Sequence, residues 1–194
     1  MAERLSDDQE LLRQLAKGNE DAFRTLYERY QGRIYRFALH MSGNPATGEE
    51  TTQEVFLALM GKPKAYDPAK GSLAGYLFGM ARNITRRAMR ETADDISLDE
   101  ETERDEFAVA GDLDVLEELT NGELLSALRQ AVLTLPEPYR EAVVLCDLEE
   151  LSYQEAAELL ECAPGTVASR LNRARSILKK KLSVQRAREQ KCAT

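Results

Sequence analysis

Histidine occurs once in this chain, at His40, and cysteine three times, at Cys146, Cys162 and Cys192, with no paired close spacing. That pattern supports neither a metal site nor a disulfide framework. Cys146 and Cys162 read instead as small packing residues. Long apolar runs are missing too. No segment approaches the roughly twenty apolar residues of a membrane span, and the charged start MAERLSDDQELLRQL has no apolar stretch suited to a signal peptide. A cytoplasmic protein without membrane insertion is expected. The chain also lacks a glycine-rich phosphate loop and a nucleophile–base pair, so neither an enzyme, a cofactor nor a small-molecule substrate is expected.

What is abundant is charge, and it is segregated. The 194 residues carry a net charge of −8, which at first argues against a nucleic-acid partner. From Glu91 to Glu123, however, fourteen acidic residues face Arg104 alone, a net of −13, leaving +5 for the remainder. Two pieces are strongly basic. Arg82 to Arg90 holds four Arg and no acid, and Pro164 to Lys191 holds nine Lys/Arg against Glu189. Phosphates respond to such local clustering, because salt screens charges beyond about 8 Å.

Hydrophobic periodicity predicts helices almost throughout. Ser6 with Gln9 has the form of a capping box ahead of Leu11, Leu12 and Leu15, with an end near Gly18. A longer helix is expected from Glu20 to about Met41, with Phe23, Leu26, Tyr27, Tyr30, Ile34, Phe37 and Ala38 on one stripe. Ser42-Gly43-Asn44-Pro45 breaks it. A third helix passes through Thr52 to Met60, a loop follows from Gly61 to Gly71, and Ser72 can cap a fourth helix reaching about Arg90. On that helix Leu73, Tyr76, Leu77, Met80, Ala81 and Ile84 share one face, leaving Arg82, Asn83, Arg86, Arg87 and Arg90 on a basic outer surface. Residues 93–120 are acidic and, Phe107 apart, poor in aromatics, which predicts a flexible linker. Beyond it, Leu124, Leu125, Leu128, Val132 and Leu135 mark another helix, and Pro136-Glu137-Pro138 starts one carrying Tyr139, Ala142, Val143 and Leu145 inward.

The most informative stretch is SYQEAAELLECAPGTVASRLNRAR, Ser152 to Arg175. Ser152 and Glu155 form a second capping box, and Ala156, Ala157, Leu159 and Leu160 supply a packing face. Pro164 suits the first turn of a following helix, on which Val167, Leu171, Ala174 and Leu178 recur at helical spacing. Thr166, Ser169, Arg170, Asn172, Arg173 and Arg175 are left for water or DNA. This is a helix-turn-helix pattern. The plainer alternative is an amphipathic hairpin with a solvated basic face.

Several separate motifs together make the chain resemble a known family over nearly its whole length. Phe23-Arg24-x-Leu26-Tyr27, Gln53-Glu54-Val55-Phe56, Gly71-Ser72-Leu73 with Tyr76-Leu77, and Ala81-Arg82-Asn83 look like the promoter-melting domain of sigma-70-type initiation factors. Leu135-Pro136-x-x-Tyr139-Arg140, Leu151-Ser152-Tyr153-x-Glu155-x-Ala157 and Gly165-Thr166-Val167-x-Ser169-Arg170-x-x-Arg173-Ala174-Arg175 look like their upstream-element domain. The resemblance is to the compact, two-domain extracytoplasmic-function group. It implies an all-α fold of two small helical domains, with a region 2 type at 1–92, an acidic linker at 93–120, a region 4 type at 121–185 and a tail at 186–194.

The resemblance also assigns roles. Gln53, Glu54 and Phe56 belong to the helix that docks on core RNA polymerase, with Val55 and Phe56 mostly in the core and Phe56 at its rim left open. Tyr66, Lys70, Ser72, Arg82, Asn83, Arg86 and Arg87 match where the family melts promoter DNA at the −10 element and captures an unstacked base. The helix from Pro164 is expected in the major groove of the −35 element. There Thr166 and Arg175 suit phosphates, Ser169, Asn172 and Arg173 suit base edges, and Arg170 suits either. Lys179, Lys180 and Lys181 add non-specific affinity at most. The linker is either a solvated tether or, as the family allows, a nucleic-acid mimic in the RNA path of polymerase; its charge fits both. An anti-sigma factor is implied as a further partner.

The chain departs from the family pattern in places. Ala168 stands where Arg or Lys is frequent, Thr47-Gly48-Glu49-Glu50-Thr51 replaces an aspartate-rich helix start, Glu150 takes the place of a turn glycine, and tryptophans usual after Leu59 and at Tyr76 are absent. None removes an element. The rival reading, from a different class, is a helix-turn-helix regulator that binds duplex DNA without polymerase.

Overall fold

A computed structural model describes residues 2–97 and 121–192. Its first group of helices is α1 (Ala2–Leu15), α2 (Glu20–Ser42), α3 (Pro45–Gly61) and α4 (Leu73–Ser97). The second is α5 (Asn121–Leu133), α6 (Glu137–Val143), α7 (Tyr153–Leu159) and α8 (Pro164–Cys192). The acidic stretch from 98 to 120 lies outside the described residues, so the expected linker has no structural account.

Local chemistry sets most boundaries. Asn19 caps α2 by accepting from the Asp21 and Ala22 N–H groups at 3.0 and 3.2 Å. Gly43, at φ 73°, ends that helix in the left-handed region, and Asn44 with Pro45 opens α3 at once. Ser72 caps α4 through the Gly75 N–H at 3.1 Å. Two expectations shift. Helix α1 begins at Ala2, so Ser6 lies within it and is no N-cap, because nothing in AERLS breaks a helix. Helix α4 continues past Arg90 to Ser97, since no Gly or Pro interrupts the chain there and the turn to acidic charge does not by itself stop a helix.

In the first group, Leu26, Ile34, Phe37 and Ala38 of α2 pack against Val55 and Leu59 of α3 and Leu73, Leu77 and Phe78 of α4, all buried. The Phe37 and Phe78 rings meet at a steep angle, 5.5 Å between centroids. Gly48 explains the unusual start of α3: a Cβ there would sit 2.9 Å from the Tyr35 ring, so glycine lets α3 approach α2. Helix α1 is pinned by buried Asp8, which accepts from Tyr30 Oη and from the Arg29 guanidinium.

In the second group, α6 runs into a widened π turn, Val144–Leu148, that buries Val144 and Leu145 while turning Asp147 outward. Glu150 then takes φ 58°, which accounts for the glycine usual in its place. The expected capping box is present: Ser152 Oγ accepts from the Glu155 N–H at 3.2 Å, and Glu155 Oε2 accepts from the Ser152 N–H at 3.0 Å. Val167, Leu171, Ala174 and Leu178 bury the inner stripe of α8 as expected. That helix remains helical to Cys192, past residue 185, where the domain was expected to end.

The two groups are packed on each other. Arg140 of α6 donates to the Met41 carbonyl at the end of α2 at 2.6 Å and to the Leu133 and Leu135 carbonyls of its own group. One guanidinium thus satisfies helix-end acceptors from both groups. Leu133 lies against Gly43, where a Cβ would stand 3.0 Å from its side chain.

Candidate nucleic-acid interface

On α8, Thr166, Ser169, Arg170 and Arg173 succeed one another at three and four residues and form one stripe, flanked by Asn172 and Arg175. Ser169, Asn172, Arg173 and Arg175 are exposed, whereas Thr166 and Arg170 are half-buried. Their existing contacts are few and local. Ser169 Oγ donates to the Thr166 carbonyl at 2.9 Å, Arg170 Nη1 stands 4.0 Å from Cys162 Sγ, and Arg173 Nη1 stands 3.4 Å from Tyr139 Oη. Arg175 is more committed. Its fork holds the Asp147 carboxylate at 2.6 and 3.0 Å, which raises its pKa further and places a carboxylate where a phosphate was expected. An exposed pair of this kind is weak, so a phosphate can displace it. Nearby, burial pushes the Cys146 thiol up to about 11, in keeping with a packing role.

The second basic face lies on α4 and the loop before it. Tyr66 Oη donates to the Gly71 carbonyl at 2.9 Å, and its ring leans on Tyr76 at 5.6 Å between centroids. Tyr76 therefore does serve as an aromatic contact at a position where the family has tryptophan. Lys70 reaches Asp67, the cap of the short Pro68–Lys70 turn, at 4.0 Å. Asn83 is exposed, and with Arg86, Arg87, Arg90 and Glu91 it lines a shallow recess of about 200 Å³.

Three residues of this face are tied to the second group, where a solvated outer surface would leave them to water. Arg82 is only 17% exposed and pairs with buried Glu141 of α6 at 2.5 Å. Arg86 pairs with Glu137 of α6 at 2.8 Å, and Ser72 Oγ donates to Glu155 of α7 at 2.6 Å. Arg87 stays within its own group, on Glu54 at 2.9 Å and Glu91 at 3.8 Å. The expected exposure of Arg82 fails because its partner lies 59 positions away in sequence, beyond the reach of helical periodicity.

The third surface is apolar. Phe56 is 3% exposed and packs edge-on to Tyr27 and Phe23, which answers the question of the rim: it is core. Gln53 is exposed, and Glu54 is half-buried on Arg87. Beside Gln53 run Leu57, 57% exposed, and Met60, 51% exposed, on the edge of a groove of about 610 Å³ floored by Phe23, Tyr27 and Tyr35. The sequence reading did not single out Leu57 or Tyr35. A signal was there: Gln53, Leu57 and Met60 stand at i, i+4 and i+7, a stripe offset from the buried Thr52, Val55, Phe56 and Leu59. Leu57 and Met60 thus stand as exposed apolar side chains on an outward stripe of α3.

Comparison with known proteins follows the same division. Residues 26–94 match the family described as Sigma-70 region 2, and residues 125–178 match Sigma-70, region 4. The ECF RNA polymerase sigma factor SigW of Bacillus subtilis (strain 168) is 30% identical over 177 residues, covering 88% of this chain and 94% of the relative. The ECF RNA polymerase sigma-E factor of Escherichia coli (strain K12) is 32% identical over 195 residues, covering 94% and 97%. Among solved structures, CnrH in complex with the cytosolic domain of CnrY superposes with a TM-score of 0.65 at 24% identity, covering 91% of this chain and 97% of that one. RpoE from Bartonella quintana, solved with the anti-sigma factor NepR, gives 0.66 at 24% identity, covering 84% and 97%. At that identity the likeness speaks for the fold.

Proposed function

The chain belongs to the extracytoplasmic-function RNA polymerase sigma factors of the sigma-70 family, and from that membership we propose that it directs core polymerase to −35 and −10 promoter elements and nucleates strand opening. The observation that carries this reading is the presence, in one chain, of a helix-turn-helix face on α8 and a second basic face around Asn83 on α4. One helix-turn-helix would suffice for a duplex-binding regulator. A second face built from arginines, an exposed amide and a nearby tyrosine pair suits single-stranded DNA, which needs cations for phosphate, an amide for a base edge and aromatic surface for stacking.

On this reading α8 reads the −35 element. Asn172 and Arg173 take base edges, with Arg best matched to guanine and Asn to adenine, while Thr166, Arg170 and Arg175 hold phosphates. Ala168 leaves one customary cationic contact unmade, so the preferred −35 sequence differs from that of relatives with a basic residue there. Asn83, with Arg86 and Arg87, holds the melted −10 strand. The groove edged by Gln53, Leu57 and Met60 receives a helix of polymerase. The protein acts in the cytoplasm without chemistry of its own, and a sequestering anti-sigma factor, as seen bound to RpoE of Bartonella quintana, is its regulator.

Reconstitution with core polymerase tests this. Promoters selected from a genomic library by the reconstituted holoenzyme are expected to share two elements and to be transcribed in vitro. Tight duplex binding by the chain alone, with no association with polymerase, would instead identify the free-standing regulator.

A further inference from the structure

The three arginines of the α8 face are held differently. Arg170 stands 4.0 Å from the Cys162 thiol and Arg173 stands 3.4 Å from the Tyr139 hydroxyl, both long contacts to neutral groups. Arg175 holds a carboxylate, and it does so with one edge of its fork: Nε donates to Asp147 Oδ2 at 3.0 Å and Nη2 to Oδ1 at 2.6 Å. The two partners differ in freedom. Asp147 is a short side chain on the π turn Val144–Leu148, whose backbone is anchored by buried Val144 and Leu145 and by the Glu149 N–H donating to the Val144 carbonyl at 2.9 Å. Arg175 is a long, exposed side chain, and only its backbone is fixed, beside buried Ala174. The rigid carboxylate therefore sets the pose of the flexible guanidinium, and not the reverse.

A guanidinium is a planar fork with two edges, each able to grip an anion through two parallel N–H groups. Asp147 occupies the Nε–Nη2 edge, so the plane and direction of the Nη1–Nη2 edge are set with it. A phosphate on the first edge has to displace the carboxylate, whereas one on the second keeps it. Ala168, Asn172 and Arg175 stand at i, i+4 and i+7 and share one side of α8, so the first cation after Ala168 along that side is Arg175.

We propose that Asp147 is a positioning residue for DNA binding: it holds Arg175 so that the Nη1–Nη2 edge meets a backbone phosphate of the −35 duplex already oriented. The inference rests on the promoter-binding role given above and deepens it. Arginine loses rotamer freedom when it grips a phosphate, and a side chain whose pose is set beforehand loses less. The sign of the effect separates this role from simple charge. A carboxylate beside a phosphate backbone repels it, so charge alone requires that removing Asp147 tighten DNA binding. Positioning requires the opposite.

The test uses the full chain and a short fluorescein-labelled DNA duplex at low salt, read by anisotropy; phosphate contacts carry no sequence information, so any duplex serves. Asp147→Ala is expected to weaken binding about threefold although a negative charge is lost. Arg175→Ala is expected to weaken it about tenfold and to reduce the slope of log affinity against log salt by about one contact. In the Arg175→Ala background, Asp147→Ala is expected to cost nothing further, a coupling that a general loss of structure would not produce. Should Asp147→Ala lose helix by circular dichroism, Asp147→Asn, which keeps one acceptor oxygen, takes its place with an expected loss of about twofold. Tighter or unchanged binding without the carboxylate, or an equal loss with and without Arg175, overturns the proposal. Transcription by the wild-type protein with core polymerase is measured in parallel. Its absence would remove the promoter role, while the duplex comparison still decides whether Asp147 acts through Arg175.

Discussion

The two basic faces of this protein are made of similar residues and sit in opposite circumstances. The α8 stripe projects exposed Ser169, Asn172 and Arg173 into solvent, and Arg175 makes its ion pair with a neighbour from its own group. The α4 face has the same arginine-and-amide chemistry, yet Arg82 and Arg86 are tied to glutamates of the other group. Charge composition alone does not distinguish them. What separates the two sets of arginines is the electrostatic partner supplied by tertiary packing.

The groove edged by Leu57 and Met60, proposed above to receive polymerase, offers the strongest way to break the comparison, because on that proposal it serves both faces. Leu57→Asp with Met60→Asp places charge on an outward apolar stripe, and polymerase affinity is expected to fall about 100-fold, read by fluorescence anisotropy of labelled protein. Because both side chains are exposed, thermal stability should stay within about 0.5 kcal/mol of wild type. Loss of activity at both promoter elements together would place the groove upstream of either face.

Arg173→Ala addresses the open face alone. On the proposed base-reading role, removing this guanidinium is expected to cost about 1–3 kcal/mol of discrimination at one −35 position, measured by competition between promoters differing there. Unchanged selectivity would leave Arg173 a phosphate contact or none. Asn83→Ala addresses the other face. Permanganate reactivity of the melted −10 region should drop about tenfold, with polymerase binding unchanged, because one polar contact of roughly 1.4 kcal/mol is lost only in the open complex. If binding to polymerase falls equally, Asn83 acts in assembly.

Glu150→Gly should touch neither face and gives the smallest effect. At φ 58° the glutamate is held in the left-handed region, which costs a side-chain-bearing residue roughly 1 kcal/mol. Relief of that strain is expected to raise the melting temperature by a few degrees, partly offset by the greater freedom of glycine in the unfolded chain.

Much of this was legible in the residues themselves. Helices α2, α3, α7 and α8 could be placed from caps, a Gly-Asn-Pro break and apolar spacing, because those signals act between neighbours within one turn. The polar stripe of α8 was likewise readable from Thr166 to Arg175, since helical spacing dictates which side chains share a face. The exceptions have local causes as well. Ser6 has the composition of a cap but no helix breaker before it, and Asp94 and Asp95 are acidic without being helix-ending.

What the sequence by itself determined, then, is the all-helical order of elements, the capped helix-turn-helix and the identity of both basic clusters, all of which follow from short-range backbone and side-chain chemistry. Tertiary structure alone decided that Phe56 lies in the core and not at its rim, and that Glu137, Glu141 and Glu155 pair with Arg86, Arg82 and Ser72. These outcomes depend on which surfaces meet when two separately patterned domains pack. A charge has no preferred partner until folding brings one within a few ångströms and takes the water away.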